Sequence, residues 1–315
     1  MTFEAFEESR RWHVDAGGRI VVGREVDGET DLEAEPVASG ATFVSSAQQY
    51  RPDSAVDGWR AGPFSVRAAS VRGDAHRYHG VPRQDDMCLA WDAERESLVI
   101  AVADGVSGAP LSHIGASTVC RYATDLLLRG PQPTDPDAWN ELLRACAWAL
   151  VDVGQRLESL EEPDPERTEE WLATTLCVAT LSREGEGATL RAASVGDSGL
   201  AVVREGEIVP LLGGKAPPID GIVDHGVVPL PRLPQPPPTG EWQLCPGETL
   251  LVGTDGIWDP VGDGSGTVAH YLLEVLGSSF PGRADFLLLV DFYRETHDDD
   301  RTLVAVRLDG TQPSA

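Results

Sequence analysis

Apolar and polar positions divide the chain into two unequal parts. Up to about residue 62 the apolar residues are thinly spread among acids and glycines, with little periodicity. Only GRIVVGREV (18–26) holds an apolar run of strand length, and EVDGETDLEAEP (25–36) reads as solvated chain of the kind that cannot bury enough surface to order itself. Residues 1–62 are therefore expected to be an acidic extension, partly disordered or accessory. From FSVRAASVRG (64–73) onward the pattern is that of a packed domain, predicted over 63–310, with a short tail at 311–315.

Inside that domain the two structural periods can be separated. SLVIAVA (97–103) is apolar at nearly every position, as a strand covered on both faces requires. After it, Ala116, Val119, Cys120, Ala123, Leu126 and Leu127 recur at the three- and four-residue spacings of one helix face. Asp135 and Pro136 form an N-cap and first-turn pair for a second helix running to about Leu160. Strands are predicted at TTLCVATL (174–181), ATLRAASV (188–195) and LAVVREGEIVPL (200–211), the last folded back at its Glu-Gly-Glu turn. GGKAPPIDG and the proline-dense PLPRLPQPPPTG (229–240) cannot continue a sheet and are expected to form a long surface excursion. ETLLVGT (248–254), helical patterns at 267–277 and 283–296, and a last strand TLVAVRL (302–308) complete the series. Helices, a run of antiparallel strands, then helices and a closing strand indicate a layered α+β fold.

Composition narrows the function more than the fold. With 51 acidic and 25 basic side chains the formal charge is −26. That field repels nucleic acid and anionic membranes, so neither is expected as a partner, and it attracts divalent cations. The five cysteines are odd in number and never in a CxxC spacing, which excludes a disulfide framework or a thiolate zinc site as the expectation. No stretch resembles a signal peptide or approaches the ~20 apolar residues of a membrane span, so a cytoplasmic protein is expected.

The chemistry lies in a recurrent arrangement, an apolar strand that stops on an aspartate. It occurs at AVADG (Asp104), ASVGDSG (Asp197) and LVGTDGIWD (Asp255), and acids also precede two strands at RQDD (Asp85) and HDDDRT (Asp299). A single Asp-Gly after a strand is usually only a turn; the set carries the inference. Carboxylates gathered at neighbouring strand ends oppose one another's ionisation unless cations lie between them. An all-oxygen set suits Mg²⁺ or Mn²⁺ rather than zinc, and two such ions can activate water and clamp a phosphoryl group. The glycines after Asp104 and Asp255 are expected where backbone turns tightly beside an ion. Ser107 and Ser198 lack a His/Asp relay, so a serine nucleophile is not expected. His113 is expected to be a capping or surface residue, and Trp258 to pack so as to orient its loop.

In this order, the motifs resemble those of the PP2C-like family of metal-dependent serine/threonine protein phosphatases. RQDD (83–86) is similar to the family's Asn-Glu/Gln-Asp element, and VADGVSG (102–108) to its first Asp-Gly signature. TTL (174–176) resembles the Ser/Thr-rich start of a core strand, SVGDSG (194–199) the Gly-Asp-Ser-Arg motif, LVGTDGIWD (251–259) the second Asp-Gly motif, and DDRTLVAV (299–306) the closing Asp-Asn motif. The resemblance implies a four-layer α-β-β-α sandwich of two antiparallel sheets flanked by helices. It further implies hydrolysis of phosphoserine and phosphothreonine by metal-activated water, with two Mg²⁺ or Mn²⁺ ions and a third, weaker one in some members. By position Asp104 would bridge the ions and the carbonyl of Gly105 would join the first. Asp255 and Asp299 would hold the second, Asp85 would sit near the first, and Asp197 would share the third with Asp255. Asp104 and Asp255 are thus the residues expected to be indispensable for catalysis. Phosphoprotein substrates, and a Ser/Thr kinase acting on the same targets, are the implied partners.

Four positions depart from the family pattern. Gly80 stands where relatives carry a phosphate-gripping arginine, with Arg72, Arg77, Arg83 or His76 as possible replacements, of which His76 and Arg83 are taken as the candidates for the substrate phosphate. Val106 stands where some have histidine, Gly199 replaces an arginine, and Asp300 replaces an asparagine. Gly80, Val106 and Gly199 support an alternative expectation, a pseudophosphatase that keeps the fold and acts as a regulatory binding or sensing module.

Overall fold

Strands that are apolar at every position need cover on both faces, and the chain supplies it in four layers. The computed structural model describes residues 51–214, 228–278, 280–294 and 296–309, with the backbone of two short strands before them. Those two, Arg11–Val14 (β1) and Ile20–Gly23 (β2), pair antiparallel, so the GRIVVGREV segment does contain a strand. The EVDGETDLEAEP stretch and the tail at 311–315 lie outside the described residues.

The first sheet has six strands. These are Ser54–Ala61 (β3), Phe64–Val71 (β4), Gly199–Arg204 (β9), Glu207–Leu212 (β10), Thr249–Gly253 (β12) and Arg301–Leu308 (β13), in the order β10-β9-β12-β13-β4-β3. The second has five: Asp86–Asp92 (β5), Ser97–Ala103 (β6), Leu176–Glu184 (β7), Gly187–Val195 (β8) and Thr239–Leu244 (β11), in the order β11-β8-β7-β6-β5. All pairings are antiparallel. Alternation within single strands shows how the layers stack. Leu98, Ile100 and Val102 of β6 face Phe64, Val66 and Ala68 of β4 in the core between the sheets. The intervening Val99, Ala101 and Ala103 pack on Ser112–Arg129 (α2) and Pro136–Glu158 (α3). Ala69 and Val71 of β4 pack on the other outer layer, Asp255–Val261 (α5), Thr267–Ser278 (α6) and Arg283–Val290 (α7). Asp74–His79 (α1) and Pro165–Leu172 (α4) complete the helices.

The local signals explain most boundaries. The Asp135 side chain caps α3 by accepting from the Ala138 amide at 2.9 Å. Glu205 and Gly206, both at positive φ (52° and 83°), make the two-residue turn that joins β9 to β10. Cys120, Cys146 and Cys177 are buried, and all five cysteines are free. Burial pushes the thiols of Cys146 and Cys177 up to about 12. Among the described residues no helix is long and apolar enough to cross a membrane.

Three expectations are corrected. First, the sheet begins at Ser54 rather than after residue 62, because β3 pairs with β4 along its whole length and supplies the edge strand. Its outward face is half polar, which hides it from a purely apolar search. Second, the proline-dense stretch does not lie wholly on the surface where it is described. Leu230 is fully buried, its amide donates to the Thr174 carbonyl at 2.8 Å, and Arg232 pairs with Glu169 at 2.6 Å. Third, His113 is buried, only 2% exposed, rather than a surface residue. Arg51 covers it, donating to its carbonyl at 2.6 Å and to that of Asp85 at 2.8 Å, and pairing with Asp86 at 3.2 Å.

Burial, with the nearby Arg51 charge, lowers the His113 pKa from 6.5 to about 4. The imidazole is therefore neutral in the fold, while the unfolded chain protonates it below its ordinary value. Its contribution to stability is complete above pH 6.5 and is lost as pH falls toward 4. At about 1.4 kcal/mol per unit this amounts to a loss on the order of 3 kcal/mol. In urea denaturation across that interval, His113→Leu should lose less stability than wild type by about this amount. Parallel pH profiles for the two proteins would show that His113 does not titrate as the fold requires.

Candidate metal centre

Each acid of the sequence pattern lies where a strand ends or begins, at one end of the two-sheet core. Asp104 follows β6 of the five-stranded sheet, Asp255 follows β12 of the six-stranded sheet, and Asp197 occupies the turn from β8 to β9, where the chain passes from one sheet to the other. One carboxylate oxygen from each of these three lies within 4.8 Å of the others. Asp85 immediately precedes β5, Asp299 lies two residues before β13, and both are close enough to Asp104 to disfavour its ionisation.

The backbone of Asp104 is held on both sides. Its amide donates to Thr175 Oγ1 at 2.9 Å, and its carbonyl accepts from the Thr175 amide at 2.7 Å and from Thr174 Oγ1 at 2.8 Å. Thr175 Oγ1 in turn shares a 2.6 Å hydrogen bond with Ser198 Oγ, which ties Asp104 to the turn that carries Asp197. Ser198 is fully buried and committed to this link. On the other sheet the Trp258 indole N–H bridges the carbonyls of Gly253 (2.9 Å) and Gly199 (3.2 Å), fixing the start of α5 against β9 as its expected orienting role requires.

The Asp-Gly glycines serve packing rather than turning. Neither Gly105 nor Gly256 has a positive φ. A Cβ on Gly256 would lie 1.9 Å from the Asp300 carbonyl oxygen, and one on Gly73 would lie 2.3 Å from the Asp298 carbonyl oxygen. The strand of acids 298–300 is thus packed between two residues that can have no side chain. A Cβ on Gly105 would meet the Ser112 Cβ at 2.8 Å, so α2 lies directly on the loop after Asp104.

Electrostatics show what the arrangement lacks. Asp85 is 1% exposed, and its Oδ2 accepts from Thr302 Oγ1 at 2.7 Å and Thr254 Oγ1 at 2.8 Å. Its Oδ1 is buried and has no hydrogen-bond partner in the protein. Burial, then the charges of Asp300 and Asp299, push the Asp85 carboxyl well above the usual range. Burial, then Asp85, Asp255, Asp299 and Asp197, do the same to Asp104. Asp299 is raised as well, by burial and by Asp300, although 45% of its side chain still meets solvent. Charge of one sign, a buried acceptor without a donor and an open side together fit divalent cations with oxygen ligands.

The two candidate phosphate-binding residues do not join this group. Arg83 is 3% exposed, and its guanidinium donates to Ser70 Oγ and to the Asp85 carbonyl at 3.2 Å. His76 is 7% exposed on α1, beside Asp299 and Asp300. Two of the departures from the motifs, Gly80 and Gly199, have backbone causes. Gly80 is the left-handed C-cap of α1 (φ 68°), a conformation unfavourable to arginine. Gly199 meets the 212–214 segment so closely that a Cβ would lie 2.6 Å from the Leu212 carbonyl oxygen. Sequence reasoning missed Thr254, Thr302, Thr175 and Arg51. Thr254 and Thr302 lie within two residues of an acid and could have been found as hydroxyls near it, and Thr175 lies in the TTL segment without an acid nearby; Arg51 lies 34 residues before Asp85, with nothing in the sequence to connect them.

The family model described as Protein phosphatase 2C matches residues 72–278, most of the chain. No curated protein matches it in sequence. Among solved structures, the catalytic domain of the serine/threonine protein phosphatase PstP in complex with two manganese ions superposes with a TM-score of 0.53 at 18% identity, covering 78% of this chain and 98% of that one. RsbX in complex with magnesium gives 0.51 at 14% identity, covering 81% and 100%. The serine/threonine phosphatase of S. agalactiae gives 0.51 at 15%, covering 78% and 100%. At these identities the likeness establishes the four-layer fold.

Asp85→Asn removes one buried like charge while leaving an oxygen for Thr254 and Thr302. In chelator its melting temperature should exceed that of wild type, while its affinity for Mn²⁺ falls on the order of 10–100-fold. A variant that melts lower in chelator and binds Mn²⁺ as wild type would contradict the charge assignment.

Proposed function

Because the chain belongs to the protein phosphatase 2C family, we propose that it is a metal-dependent phosphatase acting on phosphoserine and phosphothreonine in proteins. The observation that carries this reading is the convergence of Asp104, Asp197 and Asp255 within 4.8 Å, beside the buried, unpartnered Oδ1 of Asp85. In it, Asp104 and the Gly105 carbonyl would hold a first Mg²⁺ or Mn²⁺, with Asp85 near it. Asp104, Asp255 and Asp299 would hold a second, and Asp197 with Asp255 would offer a third, weaker position. Bound divalent cations supply Lewis-acid polarisation of the phosphoryl oxygens and a water acidic enough to attack at neutral pH.

The protein's own contribution is placement and charge. Thr174, Thr175 and Ser198 keep Asp104 in register with Asp197, so the two sheets present their acids to one space. Thr254 and Thr302 occupy one oxygen of Asp85 and leave the other, buried, without a donor. Such preorganised charge stabilises the transition state because it need not rearrange during the reaction. Val106 carries no exchangeable proton, so protonation of the leaving serine or threonine oxygen falls to water. The charge of −26 disfavours polyanionic substrates and supports a phosphomonoester on a protein over a nucleic acid. A Ser/Thr kinase acting on the same targets is the opposing activity in this setting.

One observation favours the second reading, a pseudophosphatase that binds or senses a partner. The arginine position of relatives is closed by the left-handed cap at Gly80, and the nearby Arg83 is committed to Ser70 and Asp85. Release of phosphate from a phosphothreonine peptide separates the two. Wild-type protein should require Mn²⁺, and Asp255→Ala should lower the rate by on the order of 10³-fold, a difference of about 4 kcal/mol in the barrier. Mn²⁺ binding without phosphate release would assign the chain to the second reading.

A further inference from the structure

Asp300 is the buried acid of the closing cluster that the two-metal reading leaves without a task. It is 1% exposed, and both its oxygens are taken. Oδ1 accepts from the Gly73 amide at 2.6 Å and lies 2.9 Å from His76 Nδ1. Oδ2 accepts from the amide of Gln84 and, at 3.4 Å, from that of Asp85. The Asp300 amide in turn donates to Asp299 Oδ1 at 2.8 Å. One carboxylate therefore gathers the entry to α1 and the loop that carries Asp85, and it does so beside Asp299.

His76, Asp299 and Asp300 bring ligand atoms within 4.8 Å of one another, which raises the question of an additional ion. The saturation of Asp300 argues against it, since three backbone amides already donate to its two oxygens and His76 Nδ1 lies 2.9 Å from one of them. His76 is 7% exposed, and its Nδ1 stands 3.9 Å from Asp299 Oδ1. Its contact with Asp300 has ion-pair length without the alignment of a hydrogen bond. An asparagine offers one acceptor oxygen, so at this position its NH₂ would face the amide of either Gly73 or Gln84. This chain therefore requires the aspartate where the motif it resembles has asparagine.

We propose that Asp300 and His76 form a positioning pair, in which Asp300 sets the backbone of Asp85 through its carboxylate and the side chain of Asp299 through its amide, and His76 holds Asp300 in place. The inference rests on the two-metal reading and moves His76 from the phosphate to the support of the ligands. Neither residue touches substrate. Outer partners of this kind change metal affinity by about 10–100-fold when removed.

Calorimetric titration of the full chain with Mn²⁺ tests the pair through binding, without turnover. Asparagine can place its amide nitrogen near the position of His76 Nδ1, whereas glutamine carries it one carbon further out. His76→Asn should bind Mn²⁺ within about threefold of wild type, and His76→Gln more weakly by on the order of 10–100-fold, with similar melting temperatures in chelator. If His76→Gln does not fold, Asp300→Asn makes the same comparison and should weaken binding by a similar factor. Wild-type affinity in folded His76→Gln or Asp300→Asn, or equal weakening in the Asn and Gln variants of His76, would overturn the pair alone. Absence of Mn²⁺ binding by wild type and Asp255→Ala alike would overturn the two-metal reading, and the pair with it.

Discussion

Like charges confined to one space govern this structure. Asp85, Asp104, Asp197, Asp255 and Asp299 come from five separate segments, and each raises the cost of ionising Asp104 or stands beside a residue that does. A fold can tolerate such a group only if something compensates it. Hydroxyls compensate in part, since Thr254 and Thr302 donate to the Asp85 carboxylate. The remainder, typified by the lone Oδ1 of Asp85, calls for cations. Much of the surrounding architecture follows from bringing these acids together without losing the apolar core beneath them.

That core explains how the approach is made. Two antiparallel sheets covered on all four faces leave their strand ends as the place where backbone can carry charge. At that end the chain is packed too tightly for side chains at several positions. Gly73 and Gly256 enclose the backbone of 298–300, and Gly199 lies against the 212–214 segment. Substitutions that would look like losses of function in a motif, such as glycine for arginine at 80 and 199, are thus linked to local backbone geometry. The same packing makes Asp300 a structural acid, enclosed by amides and by His76 rather than open to the site.

Much of this was legible in the sequence because the signals are local. Strand period, the Asp135 cap, the Glu205–Gly206 turn and the repeated strand-then-aspartate pattern each lie within a few residues. What the sequence withheld depends on distant pairing. β3 carries a half-polar face and is recognisable only through its partner β4. Arg51 covers His113 and holds the Asp85 carbonyl from the segment expected to be a partly disordered or accessory extension. Arg83, a candidate for the substrate from its proximity to RQDD, is buried against Ser70. Proximity in sequence placed it near the site without saying which way it faced.

The central claim is that these carboxylates converge in order to hold divalent cations. The most direct test is the anomalous scattering of manganese in crystals of the full chain grown with Mn²⁺. The account predicts peaks within coordinating distance of the Asp104 and Asp255 carboxylates, with Asp85 or Asp299 adjoining them. Full Mn²⁺ in the crystal with no peak at Asp104 or Asp255 would contradict it.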